Sequence, residues 1–255
     1  MSSVSAPVRA IRSAVLCAFI GAFTALATFP AQAETWRFAL IGDTPYSDYE
    51  RRELPRMIEA IAAEHVDFIA HVGDIKHSNA PCSDALFEDR RRLFDASPVP
   101  FILAPGDNEW TDCRRVVAGG HAPLERLAKL RELFFAGEHS LGQRRIALER
   151  QTDGFPEHQR WRLGPVLFLT LNIPGGNNHH RPSGAPGEEA DRRTARALDW
   201  LREGFALARH EGLRGVAVLL QANPDFRAFA NGMPWSGYRA LLQAVRTESL
   251  AFPGE

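Results

Sequence analysis

The sequence predicts a mixed α/β domain built on a largely parallel sheet. Three observations carry this: short β-rich runs alternate with helical patterns, most of the runs are apolar throughout, and three of them end in the same Gly-Asp step. Runs without polar alternation mark strands buried on both faces, and strands separated by whole helices require right-handed crossovers between parallel neighbours.

Ahead of the domain, residues 1–33 read as an export leader. Arg9 and Arg12 precede the apolar run 14–29, and Pro30-Ala-Gln-Ala33 supplies an A-x-A cleavage site. The run is shorter than the roughly 20 apolar residues that span a bilayer. The expectation is a signal peptide cleaved after Ala33 and a domain over 34–255 that is periplasmic or secreted, with no membrane contact after cleavage. Loss of the two arginines takes the formal net charge from −1 to −3. Nothing in that balance points to nucleic acid.

The first strand is 36–41, followed by a helix whose apolar stripe is Leu54, Ile58 and Ile61. Strand 66–72 leads to a second helix marked by Leu86, Leu93 and Phe94. After strand 100–104, Pro123 opens a third helix with Leu124, Leu127, Leu130 and Phe134 inward, since proline suits the first helical turn. Strand 166–171 runs into an irregular loop, 173–187, whose Asn177, Asn178, His179 and His180 are either ligands or substrate contacts or, as adjacent histidines in a polar loop more often are, plain solvated residues. The longest helix runs from 188 to 211, with Ala197, Leu201, Phe205 and Ala208 on one face and Gly212 as its stop. Strand 216–220 then leads to Gln221-Ala-Asn223-Pro224 and a last helix over 235–247. Cys82 and Cys113, the cysteines outside the leader, are expected to form a disulfide in the oxidising compartment that the leader implies.

The chemistry lies in three corners, Gly42-Asp43, Gly73-Asp74 and Gly106-Asp107-Asn108-Glu109, each directly after a strand. Glycine lets the chain turn off the sheet, and the next side chain then projects over the strand end. If the strands are neighbours the aspartates converge, and their repulsion destabilises the fold unless a cation offsets it. Oxygen ligands suit hard or borderline ions, and a histidine widens the choice to zinc, iron or manganese.

On these motifs, residues 38–223 resemble the calcineurin-like metallophosphoesterase superfamily, purple acid phosphatases included. The resemblance implies an αββα sandwich, two divalent or trivalent metal ions (Fe, Mn or Zn), and hydrolysis of a small phosphoester. It makes Asp43 a ligand to one metal and Asp74 the bridge between both. The third corner stands where the family has Gly-Asn-His-Asp/Glu, and two registers stay open. Without a gap, Asp107 takes the metal ligand's place and Asn108 that of the histidine that assists the leaving group. Shifted by one, Asn108 is the ligand and Glu109 follows as an acid.

Several motifs depart from the family. Its Asp-x-His is Asp43-Thr44-Pro45 here, and Tyr46 and His77 each follow their aspartate by three residues. His77 falls where purple acid phosphatases place a ligand tyrosine: it is either a replacement metal ligand or an exposed loop residue beside Lys76. Gln221 and Asn223 stand where the family has a histidine, and the family's last Gly-His-x-His motif has no counterpart before Glu255. The closing strands of the second sheet are therefore expected to be missing. The alternative function is a non-catalytic or truncated relative with a binding role.

Overall fold

Each Gly-Asp corner ends a strand of one sheet. β1 (Phe38–Ile41), β2 (Phe68–His71) and β3 (Phe101–Leu103) run parallel in that order, with Phe38 opposite Phe68 and Ile69 opposite Phe101. The computed structural model describes residues 34–179, 187–232 and 237–254, so the expected leader, His180 and the Glu255 end lie outside the described residues. Among the described residues no helix is long and apolar enough to cross a membrane.

The crossovers are α1 (Asp48–Ala63) and α2 (Asp84–Asp95), and α3 (Pro123–Phe134) follows β3. Ser47 and Ser83 cap the first two, their hydroxyls accepting from Glu50 N and Leu86 N, and Pro123 opens the third as expected. The period of two along β2 then decides the layering. Ile69 joins Leu54, Ile58, Phe87, Phe94, Leu127 and Leu130 in the core under these helices, while Phe68 and Ala70 face the other way.

What they face is a second sheet: β4 (Glu149–Arg150), β5 (Gln159–Leu163), β6 (Val166–Thr170) and β7 (Gly215–Leu219). β4–β5 and β5–β6 are antiparallel, and β6–β7 is parallel. Between β6 and β7 lie the single turn α4 (Gly175–Asn178) and the long α5 (Glu188–His210), which Gly212 closes at φ +64°. α6 (Phe226–Ala230) and α7 (Arg239–Leu250) follow. Leu167 and Leu169 pack with Leu201, Phe205, Leu241 and Leu242 of α5 and α7. Phe168 points inward, 5.1 Å from Phe68, beside Trp161. The result is a helix–sheet–sheet–helix sandwich.

Two features differ from the sequence reading. The second sheet is antiparallel in two of its three pairings, because β5 hides a clean alternation inside Gln-Arg-Trp-Arg-Leu: Trp161 is 5% exposed in the sandwich while Arg160 lies over the Trp200 ring at 4.1 Å on the other face. β1 is an edge strand rather than a buried central one, with Phe38 44% and Leu40 54% exposed. Its apolar character still has a use, since Phe38 stacks on Phe68 at 5.2 Å and closes the open side of the inter-sheet core.

Candidate metal centre

Parallel pairing carries all three corners to the same end of the first sheet, the carboxyl end where ligands bind in such folds. Asp43 and Asp74 sit in the left-handed region, at φ 55° and 58°, which aspartate tolerates better than most residues. Gly73 is at φ 94°, and a side chain there would strike the backbone of Gly106; one at Gly106 would strike Asp74. The second and third corners thus pack backbone against backbone, and only glycine permits it.

The first corner is tied in by two bonds. Asp43 N donates to Gly73 O at 3.1 Å, and the ring of His71 spans both loops. His71 Nδ1 accepts from Gly73 N at 3.1 Å, so its Nε2–H donates to Thr44 O at 2.8 Å. Burial pushes this imidazole down to about 4, in keeping with a neutral ring used as a spacer. In the sequence His71 looks like one more residue of an apolar strand, and nothing local marks it as a spacer.

Three side chains meet at the Tyr46 hydroxyl. It lies 2.8 Å from Asp43 Oδ1 and 3.1 Å from Asp74 Oδ2, and Asn108 Nδ2 approaches it at 3.3 Å. The same Asn108 Nδ2 donates to Lys76 O at 3.1 Å, which fixes the amide with its N–H groups toward Tyr46. Burial first, then the hydrogen bond to Asp43 and the charge of Asp74, raise the phenol's pKa. A hydroxyl has one proton and here two carboxylate neighbours, so one contact lacks a positive partner unless a proton or a cation supplies it. Two carboxylates and a phenol oxygen are a hard donor set and fit one hard metal ion.

Glu109 lies beneath the corners and is fully buried. Its Oε1 accepts from Gly106 N at 2.7 Å and from Asp74 N at 3.2 Å, bracing one corner against the other, while Oε2 has no partner among the described residues. Asp74 Oδ1 in turn accepts from Asn108 N at 3.2 Å. Burial raises Glu109 to about 7. Asp74 rises to about 8, from burial first and then the charges of Glu109 and Asp107. Lys76, also fully buried, sets its ammonium among these acids and donates to His77 O at 3.1 Å.

The remaining sequence-predicted residues lie at the rim. His77 is exposed, edge-on to Tyr46 at 5.6 Å, and its Nδ1 accepts from Asn79 N at 3.1 Å, so the ring presents an N–H rather than a lone pair. Asp107 turns toward α4: a Cβ at Gly175 would come within 2.9 Å of its Oδ2. The 173–187 loop is not simply solvated. Gly176, Asn177, Asn178 and His179 all have φ between 56° and 58°, a left-handed turn. Arg193, fully buried, holds it by donating to Asn178 and to Asn172 O at 2.9 Å, and lies over the Trp110 ring at 5.2 Å. His179 packs edge-on against Trp110 at 5.9 Å. The expected Cys82–Cys113 disulfide is present, and both sulfurs touch Asn108 O, at 3.8 and 3.7 Å.

The profile of the calcineurin-like phosphoesterase family matches residues 37–235. The chain belongs to that family. Membership implies divalent metal ions, although among the described residues no three or more His, Cys, Asp or Glu stand together to hold one. A dimetal phosphatase from Danio rerio is similar at 16% identity over 83% of this chain and 77% of that one, with a TM-score of 0.46. GAP50, the anchor in the inner membrane complex of Plasmodium, is similar at 14% identity over 84% of this chain, also at 0.46, and the chain spans 63% of its length. A comparison with curated proteins gives no match.

Proposed function

We propose that this calcineurin-like phosphoesterase is a metal-dependent hydrolase of small phosphoesters. The observation that supports it is the convergence of Asp43, Asp74 and Asn108 on one point over the sheet, reported by the single Tyr46 hydroxyl that all three contact. A metal bound there would polarise a phosphoryl oxygen and make a bound water nucleophilic near neutral pH. The chain's own residues do the rest. Asp43 and Asp74 hold the charge, and Asn108 orients the phenol. Glu109 fixes the spacing of the second and third corners from below. His77 offers its Nε2–H from the exposed rim, where a leaving-group oxygen would emerge. The disulfide fits an oxidising compartment and so supports export through the predicted leader.

The test is hydrolysis of p-nitrophenyl phosphate and bis-p-nitrophenyl phosphate with added Mn2+. Asp74→Asn should reduce turnover to background, and full retention would overturn the reading. A second reading, a binding protein without turnover, is favoured by the absence of histidine from all three corners. Metal uptake with no hydrolysis of any phosphoester would select it.

A further inference from the structure

We infer that the exposed turn carrying Arg114, Arg115, Val116 and Val117 docks the chain on an anionic lipid surface. The turn lies beside the metal centre, since the sulfur of Cys113 touches Asn108 O at 3.7 Å. The inference goes beyond the hydrolase reading and does not depend on turnover.

Val116 is 92% exposed and Val117 61%. A single valine in water is ordinary, because apolar atoms make up much of any protein surface. Two in succession on a turn that the fold holds in place are displayed. They stand on the 3-10 turn Val116–Ala118, whose last residue is fully buried. Ala118 N donates to Arg115 O at 2.9 Å, Cys82 N donates to Ala118 O at 2.9 Å, and His121 N donates to Cys113 O at 2.8 Å. Gly119 and Gly120, at φ 112° and 65°, then turn the chain back, which residues with a side chain resist. The Cys82–Cys113 disulfide closes the base of the turn. A loop already fixed in this way has little entropy left to lose on binding.

The charge beside the valines is positive. Arg114 is exposed and has no carboxylate partner among the described residues; its guanidinium donates to Thr111 O at 3.0 Å and lies 3.3 Å from His179 Nε2. Arg115 pairs with Asp112 at 2.9 Å, but the carboxylate is buried while the arginine is half in water. Asp84 and Glu125, the acids in the first turns of α2 and α3, are both held by Arg126. A side chain as exposed as Val116 has almost nothing beside it, so the tip is convex. That shape suits a bilayer better than a protein partner, whose anchor residues are mostly large and sit in recesses. At a bilayer the valines reach the acyl boundary while the arginines stay among the lipid phosphates. The overall charge of −1 gives no such attraction, so the tip alone carries the inference against the expectation of no membrane contact.

The experiment is co-sedimentation with vesicles of phosphatidylglycerol and phosphatidylcholine in equal parts, and with vesicles of phosphatidylcholine alone. The purified chain from Glu34 onward is used, so that the apolar run 14–29 does not itself bind lipid. Binding to the anionic vesicles at low salt is expected, weakened by high salt and by omission of phosphatidylglycerol. Val116→Ser with Val117→Ser should reduce it by about tenfold or more, the effect of withdrawing aliphatic side chains from lipid. Arg114→Gln should reduce it by about fivefold. Both valines lie in water, so the melting midpoint of the double variant should match wild type. No binding by wild type, equal binding by the double variant, or equal binding to both kinds of vesicle would each overturn the inference. So would a dimer of wild type in sedimentation velocity that the double variant does not form, because the tip would then be covered by a second copy of the chain.

Discussion

Removing the disulfide should loosen both the fold and the metal site. Cys82 and Cys113 are 31 residues apart in sequence and 5.7 Å apart between Cα atoms, joining the loop after the second corner to the turn after the third. Closing a loop of that length removes about 12 cal/mol/K of entropy from the unfolded chain, or about 3.7 kcal/mol at 25 °C. For a domain of this size each kcal/mol moves the midpoint by about 2–4 °C, so Cys82→Ala with Cys113→Ala should melt about 7–15 °C lower. Alanine is chosen because both sites are fully buried and a lone thiol would add its own chemistry. Tryptophan fluorescence melts of the double variant and of wild type with and without reductant provide the assay. Because both sulfurs touch Asn108 O, the variant should also bind Mn2+ more weakly. A midpoint drop under about 3 °C would refute the loop-entropy reasoning and mean that the unfolded loop is already constrained.

Stability without metal should fall as pH rises from about 6.5 to about 8. Asp74 and Glu109 are raised to about 8 and about 7, so the folded state keeps protons that the unfolded chain releases, and that contribution is lost as pH climbs through those values. Buried His71 and His158, both lowered to about 4, act in the opposite sense below about pH 6.5, which confines the fall to the upper window. Melting midpoints that stay flat or rise between pH 6.5 and 8 would contradict this, and Mn2+ should shrink the fall by replacing the protons. Gly106→Ala should cost about 1–3 kcal/mol and weaken Mn2+ binding, because the new methyl meets Asp74. Gly204→Ala, whose methyl presses on the tip of Leu169 and makes ordinary contact with that of Leu167, should stay within about 1 kcal/mol of wild type in urea unfolding. Arg131→Met should cost about 3–5 kcal/mol, since it strands the fully buried Glu157 carboxylate that Arg131 grips at 2.6 and 2.8 Å. Adding Glu157→Met to Arg131→Met should recover much of the loss.

The first sheet was legible because local signals agreed there. Apolar strands, serine caps, Pro123 and repeated Gly-Asp steps all described the same turns, and the neighbouring order of β1, β2 and β3 then brought the aspartates together. β4 and β5 escaped because one is two residues long and the other carries its hydrophobic face on Trp161 between two arginines. The irregular loop escaped for a different reason. Nothing local says that Asn178 is buried, since its bonds come from Arg193 far along the chain.

Tyr46 shows where reading by motif stops. Its spacing from Asp43 was visible, but a residue three past a corner can point anywhere until the loop is folded. What aims it is tertiary: His71 on β2 holds Thr44, and Asn108 on the third corner meets the phenol oxygen. The backbone of the corners is over-determined, because Gly73 and Gly106 leave no room for a side chain and Glu109 clamps both loops. The rim residues are held by side-chain hydrogen bonds rather than by backbone packing, as His77 is by Asn79 N and Gln221 by Gly175 N, so side chains can change there while the sheet and its corners stay fixed.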